Sequence, residues 1–272
     1  SISEMGQWYS IQIKTGNHII EIRDSLKLLP FSVKRIGDSF KTKHKKLDME
    51  YTGYRYAGCE ITPQEMEYIK NDVLVLKEAL NIMFNEGHDK LTIGACCLSE
   101  YKKFLGKEDW EIFFPKLHEI EIDENLYGSP NADAYIRNSY RGGWCYLVDG
   151  CSGKTYTKGT TADVNSLYPS VLRSPECPLP YGSPVFFEGK YKKNSVYPLY
   201  TQMLSCQFKL KPNKIPTIQI KHSMFFKGNE YLTSSNGEEV TICLNSVDLE
   251  LFFKQYDVYN VKYHSGWMFK AS

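Results

Sequence analysis

Apolar and polar residues alternate from Gln7 to Asp24, QWYSIQIKTGNHIIEIRD, on both sides of Thr15-Gly16-Asn17. A period of two broken by such a turn predicts a β-hairpin. SLKLLPFSVKRIGDSF, residues 25–40, reads as short helical turns interrupted at Pro30. Beyond Ile61 the period becomes helical. Thr62 supplies an N-cap, Pro63 suits the first helical position, and Glu65 completes a capping box. Met66, Ile69, Val73, Leu76, Leu80 and Met83 recur at steps of three and four until Gly87 ends the run. That stripe is expected to be core. A neighbouring face places Tyr68 beside Asp72, at i and i+4.

Residues 91–124 mix helix signals with charged loops. AYIRNSYRGGWCYLV, residues 134–148, leads into an expected strand, with Gly142 and Gly143 allowing close backbone approach. KGTTADV, residues 158–164, reads as a further strand. In the following VNSLYPSV, a proline disfavours helix at the residue before it. Tyr168 is therefore expected to be extended and Pro169 to start a helix. Asp163 would then end a strand, and residues 164–168 would turn their N–H groups toward a helix N-terminus. A carboxylate beside such a cradle suits a metal-bound polyphosphate, with the Tyr168 ring against its sugar. A helix-capping aspartate and a core tyrosine are the plain structural alternative. Past Pro175 a proline-rich stretch gives way to short β-like runs (PTIQI, EVTICL, YNVKYHSG) and one helix-like run, NSVDLELFFKQYD. This shift sets a boundary near Ser174.

Composition narrows the partners. With 33 Lys+Arg against 32 Asp+Glu, any nucleic-acid contact rests on local patches rather than overall charge. The run KTKHKK, residues 41–46, is either a solvated loop or a phosphate-contacting surface. The 20 tyrosines and 14 phenylalanines supply core and also faces on which bases stack. No stretch of about 18 apolar residues suggests a membrane span, and no signal peptide is evident. Eight cysteines without CxxC spacing or a histidine partner point to reduced thiols and a cytoplasmic chain. The start at Ser1, without methionine, hints at a fragment.

DVNSLYPS, residues 163–170, resembles the first polymerase motif, DxxSLYPS, of the family B DNA polymerases. The resemblance implies that Asp163 holds the catalytic metals, Mg²⁺ or Mn²⁺. It implies that Val164, Ser166 and Leu167 bind the incoming triphosphate, and that Tyr168 blocks a ribose 2′-hydroxyl. YRGG, at Tyr140, Arg141, Gly142 and Gly143, resembles the YxGG motif of the protein-primed phage branch, which contacts DNA and balances polymerisation against exonucleolysis. YIKND resembles the third exonuclease motif, with Tyr68 orienting the attacking water and Asp72 binding metal. Ser25, Leu26 and Leu29 fit the family's single-strand contact, and Lys46 fits a lysine that assists exonucleolysis. The region after Pro175 resembles the branch's first insertion, with Lys221 and Tyr231 as contacts to the priming terminal protein and DNA.

The fold so implied is mixed α/β: the later part of a ribonuclease-H-like exonuclease (1–92), the start of a polymerase palm (93–174) and a small α+β insertion (175–272). The implied protein is a DNA-templated DNA polymerase of a phage or prophage, acting in the cytoplasm of a bacterial host. Its partners are primer-template and single-stranded DNA, dNTPs and a terminal protein, without an organic cofactor or a membrane. The family's KxxxNSxYG and DTD-type motifs do not occur in this sequence, and its DxE motif is expected ahead of the hairpin with which the sequence begins. Two-metal chemistry needs carboxylates beyond Asp163 and Asp72. The chain alone is therefore expected to be catalytically incomplete, and its exposed sheet edges to favour self-association. The alternative is a non-catalytic DNA-binding or terminal-protein-binding module from a truncated prophage gene, marked by steeply salt-dependent DNA binding.

Overall fold

The structure is a computed structural model that describes residues 6, 8–50, 53–54, 56–148, 150–220 and 230–272. It is mixed α/β and divides into two compact units, Ser1–Lys107 and Glu108–Ser272.

In the first unit the hairpin forms from β1 (Ser10–Thr15) and β2 (His18–Arg23), paired from Ser10↔Arg23 to Thr15↔His18. Gly16 opens its two-residue loop at φ +59°, a conformation that costs glycine nothing. A 3₁₀ turn at Ser25–Lys27 and α1 (Val33–Ser39) follow, the latter capped by Ser32, which accepts from Arg35 N–H. The long helix α2 runs Pro63–Asn85 with both halves of the Thr62–Glu65 capping box made. α3 (Ile93–Leu105) completes the unit. Its core joins Leu28, Leu29 and Ile36 to Val75, Ala79 and Met83 of α2 and Cys96 of α3.

The buried stripe of α2 differs from the expected one. Met83 is buried and Leu76 and Leu80 are partly so, but Met66, Ile69 and Val73 are exposed. The N-terminal half of α2 has no apolar element packed on that face among the described residues, so periodicity alone did not locate the core.

The second unit opens inside α4 (Lys107–Phe113), at Glu108, and continues through a 3₁₀ turn at Leu117–Glu119, α5 (Glu124–Tyr127) and α6 (Ala132–Arg137). α7 (Leu167–Arg173) precedes β3 (Pro180–Glu188), β4 (Leu199–Leu210), β5 (Val240–Asn245), α8 (Ser246–Gln255) and β6 (Tyr256–Ala271). The four strands form an antiparallel sheet in the order β3-β6-β4-β5. Alternation along β4 and β5 sends Leu204, Cys206, Phe208, Ile242 and Leu244 to one face with Leu249 and Phe252 of α8. Met203 and Cys243 go to the other face with Trp267, Phe269 and the α6 residues Ala132 and Tyr135. Gly266 admits no side chain: a Cβ there would lie 2.0 Å from Thr201 O and 2.5 Å from the Phe187 ring.

Two expected strands are absent. Residues 144–148 and 158–164 are irregular, because an extended segment becomes a strand only by pairing and neither meets a partner strand among the described residues. PTIQI likewise forms no strand, although Ile218 is buried and its carbonyl accepts from Leu232 N–H at 2.8 Å. The helix expected from Pro169 starts two residues earlier, so Tyr168 is helical rather than extended. Proline is tolerated there because N–H groups of the first turn have no intrahelical acceptor in any case.

Burial pushes the thiols of Cys206 and Cys243 up to about 12, whereas Cys97, Cys145 and Cys177 are exposed. At pH 8 a thiol-specific chromophore should label those three quickly and Cys206 and Cys243 only after denaturant is added. Rapid labelling of either buried thiol in native buffer would contradict the packing of β4 and β5.

Candidate functional site

In the first unit, three of the residues singled out by sequence meet. Lys46 Nζ donates to Asp72 Oδ2 at 2.8 Å and to Tyr68 Oη at 2.6 Å, and lies 4.4 Å from the centre of the Tyr68 ring. α2 sets Tyr68 and Asp72 one turn apart, so a single ammonium reaches both. These bonds, that to Asp72 foremost, raise the Lys46 pKa above its ordinary value, which keeps the ammonium charged through neutral pH. Among the described residues, the other carboxylate oxygen, Asp72 Oδ1, is buried without a hydrogen-bond partner. A buried carboxylate oxygen so left is costly unless a further donor or a cation completes it. Asp72 therefore fits the part of a metal ligand.

Ser25 and Leu26 lie in the 3₁₀ turn that Asp24 caps through Leu26 N–H. Leu26 is exposed. Leu29, expected to touch single-stranded DNA, is only 4% exposed and belongs to the core, so it supports this turn from beneath.

In the second unit, YRGG begins just after α6. Tyr140 is exposed, and with Arg141 it lines cavities of about 460 and 530 Å³. Arg141, expected as a DNA contact, turns inward. Its guanidinium donates to the carbonyls of Asn138 at 2.9 Å, Tyr140 at 3.1 Å and Cys243 of β5 at 3.1 Å. Burial lowers its pKa, opposed by the charge of Asp248 in the first turn of α8. On the far side of Gly142 and Gly143, Trp144 donates to Pro216 O at 3.1 Å, and its ring stands 6.2 Å from that of Tyr231. The glycines thus lie between two anchors. Lys221 lies outside the described residues.

Asp163, Val164, Ser166, Leu167 and Tyr168 are exposed. Asp163 has no hydrogen bond or ion pair among the described residues. Ser166 adopts a left-handed conformation (φ 53°, ψ 44°) and makes no side-chain cap, although its carbonyl accepts from Ser170 N–H at 2.9 Å. Among the described residues no group of three or more His, Cys, Asp or Glu could hold a metal ion. Sequence spacing does not single out Trp144, His44 or Glu78, whose partners are remote in the chain. The only signal was a histidine inside a basic run.

Comparison with known proteins shows the family. The pattern of the family described as DNA polymerase type B, organellar and viral, matches residues 48–272, and the chain belongs to that family. Within it, the chain is similar to the DNA polymerases of Bacillus phage B103, 46% identical over 99% of the chain, and Bacillus phage phi29, 45% identical over 100%. It spans 46% of the length of each. Phi29 DNA polymerase in complex with primer-template DNA and incoming nucleotide superposes with a TM-score of 0.84 at 44% identity, covering all of this chain and 46% of that one. The same polymerase with single-stranded DNA gives 0.78 at 42% identity.

Arg141 supplies a direct test of the second unit. Arg141→Lys keeps the charge but loses the planar fork that reaches Asn138, Tyr140 and Cys243 at once. It should lower the unit's stability to denaturant by about 1–3 kcal/mol. Unchanged unfolding would mean that the guanidinium does not anchor the loop.

Proposed function

We propose that this chain carries working parts of a protein-primed phage DNA polymerase: the later exonuclease (1–92), the start of the palm (93–174) and the insertion that meets terminal protein and DNA (175–272). The observation that carries the reading is the Lys46–Tyr68–Asp72 cluster with its buried, unpartnered carboxylate oxygen. A bound Mg²⁺ or Mn²⁺ would neutralise phosphoryl oxygens and acidify a bound water. Asp72 on the exonuclease side and Asp163 on the polymerase side are the residues that would hold it.

The chain's own residues then have distinct tasks. Lys46 orients Asp72 and, by donating to Tyr68 Oη, directs the phenol proton away from itself, toward an attacking water. Val164, Ser166 and Leu167 receive the triphosphate of an incoming dNTP, and the exposed Tyr168 ring closes the space a ribose 2′-hydroxyl would need. Ser25, Leu26 and the Tyr140–Gly143 segment meet DNA, Leu29 and Arg141 serving them from beneath. Lys221 and Tyr231 meet the terminal protein. With no three-ligand metal cluster among the described residues, turnover at either aspartate requires carboxylates from a longer polypeptide, working in a bacterial cytoplasm.

The test uses a complete polymerase of the relatives' length that carries this segment. Asp163→Ala should cut primer extension at least about a hundredfold while sparing 3′–5′ degradation, and Asp72→Ala should do the reverse. Tyr168→Val should admit ribonucleotides. Extension that survives Asp163→Ala would defeat the reading.

The hairpin suggests how the chain behaves alone. Ile11, Ile13, Ile20 and Ile22 share one face, paired Ile11↔Ile22 and Ile13↔Ile20, and all four are exposed. Isolated chains should self-associate through this face, so the mass seen by light scattering should rise with concentration. Charged substitutions at Ile13 and Ile20 should reverse the rise, and a constant monomer mass in the unaltered chain would dismiss it.

A further inference from the structure

The basic run KTKHKK is not a uniformly solvated loop. Lys41 takes a left-handed φ of 52° just past α1, and Thr42 N–H returns to Gly37 O at 3.1 Å, which closes the helix end. The Thr42 hydroxyl, buried, donates to His44 O at 2.7 Å, and Lys45 Nζ donates to Gly37 O at 2.8 Å. Lys46 is held by Tyr68 and Asp72. Only Lys41 and Lys43 are exposed without a side-chain partner among the described residues.

Between these anchors stands Glu78 of α2. One of its oxygens accepts from Lys43 N–H at 2.6 Å, and the other meets His44 Nδ1 at 2.5 Å. The His44 bond, and then the Lys43 amide, hold the Glu78 carboxyl below the usual carboxylate range. Asp72 and Glu78 are six residues apart, about 9 Å along a helix at 1.5 Å per residue. From Lys43 to Lys46 an extended chain covers about 10 Å at 3.3 Å per residue. The loop therefore runs antiparallel along α2, and the point where Glu78 grips it decides where the ammonium of Lys46 arrives. A slip of one residue would move that ammonium by about 3.3 Å, beyond hydrogen-bond reach of Asp72.

We infer that Glu78, acting through the Lys43 amide and the His44 ring, is a positioning residue that sets Lys46 in register on Tyr68 and Asp72. The functional half of the inference rests on the exonuclease reading above, while the structural half does not.

Acylation of lysines by an N-hydroxysuccinimide ester, read residue by residue by mass spectrometry on the 272-residue chain, tests the structural half. Lys46 should react several-fold more slowly than Lys41 and Lys43. Glu78→Ala should bring it to their rate, and Glu78→Gln, which keeps one acceptor for the Lys43 amide, should fall between. Protection of the buried Cys96 thiol reports whether the core around α2 survives; if Glu78→Ala exposes Cys96, Glu78→Gln decides. Lys46 protection unchanged in a variant whose Cys96 stays protected would overturn the inference.

In a complete polymerase, Glu78→Ala should lower the exonuclease kcat about tenfold with KM for DNA and primer extension unaltered. In a Lys46→Met background it should cost nothing more. An equal loss in both backgrounds would show that Glu78 does not act through Lys46. If Lys46→Met itself leaves exonucleolysis intact, the exonuclease reading fails while the acylation result still decides the register.

Discussion

β6 pairs with β4 from Tyr256 to Phe269, and its second half also pairs with β3, so it lies inside the sheet with both edges occupied over residues 265–268. A strand in that position must bury side chains on both faces and satisfy every polar group it brings with it. The molecule meets these demands with particular residues. Ser265 bonds to the Tyr135 hydroxyl at 2.7 Å, which ties α6 to the sheet. Gln202, fully buried, donates to the carbonyls of Gly189, Met203 and Ser265 and accepts from Tyr191 N–H. Tyr256 accepts from Thr217 and Ile218 and donates to Leu232 O, fastening two irregular segments to the start of β6. With β6 fixed, β4 and β5 follow, and so does the Cys243 carbonyl that receives Arg141.

Both units use positive charge in the same way. Arg141 spends its guanidinium on backbone carbonyls and leaves Tyr140 exposed; Lys45 and Lys46 turn to a carbonyl and a carboxylate and leave Lys41 and Lys43 exposed. A near-neutral chain can thus present small cationic or aromatic surfaces whose placement is governed by inward-facing neighbours. Long-range attraction of any polyanion would be weak.

Local signals were legible in the sequence. The hairpin turn, the capping box of α2 and the Asn245-capped α8 all form because each depends on residues within a few positions of one another. β4 was not legible: its buried Gln202 and Ser205 break the apolar pattern, since polar side chains inside a sheet look like surface until their partners are known. Residues 144–148 and 158–164, expected as strands, failed for another reason: neither meets a neighbouring strand among the described residues. Within the site, helical spacing placed Tyr68 beside Asp72, and resemblance brought in Lys46. Glu78, 34 positions from His44, had no local mark.

Among the described residues, five other than glycine hold a positive φ; three are asparagines, which tolerate it, and the others are Lys41 and Ser166. Left-handed backbone costs such residues roughly 1–2 kcal/mol. One stands at the head of the loop that ends in Lys46, the other two positions before Tyr168. Anyone seeking a hardier version of this chain by optimising backbone preference would be led to glycine at both positions. The gain in thermal tolerance would come with looser loops at the very places that lead into Lys46 and Tyr168, so a screen for stability alone would drift toward proteins that last longer while holding these two side chains less firmly.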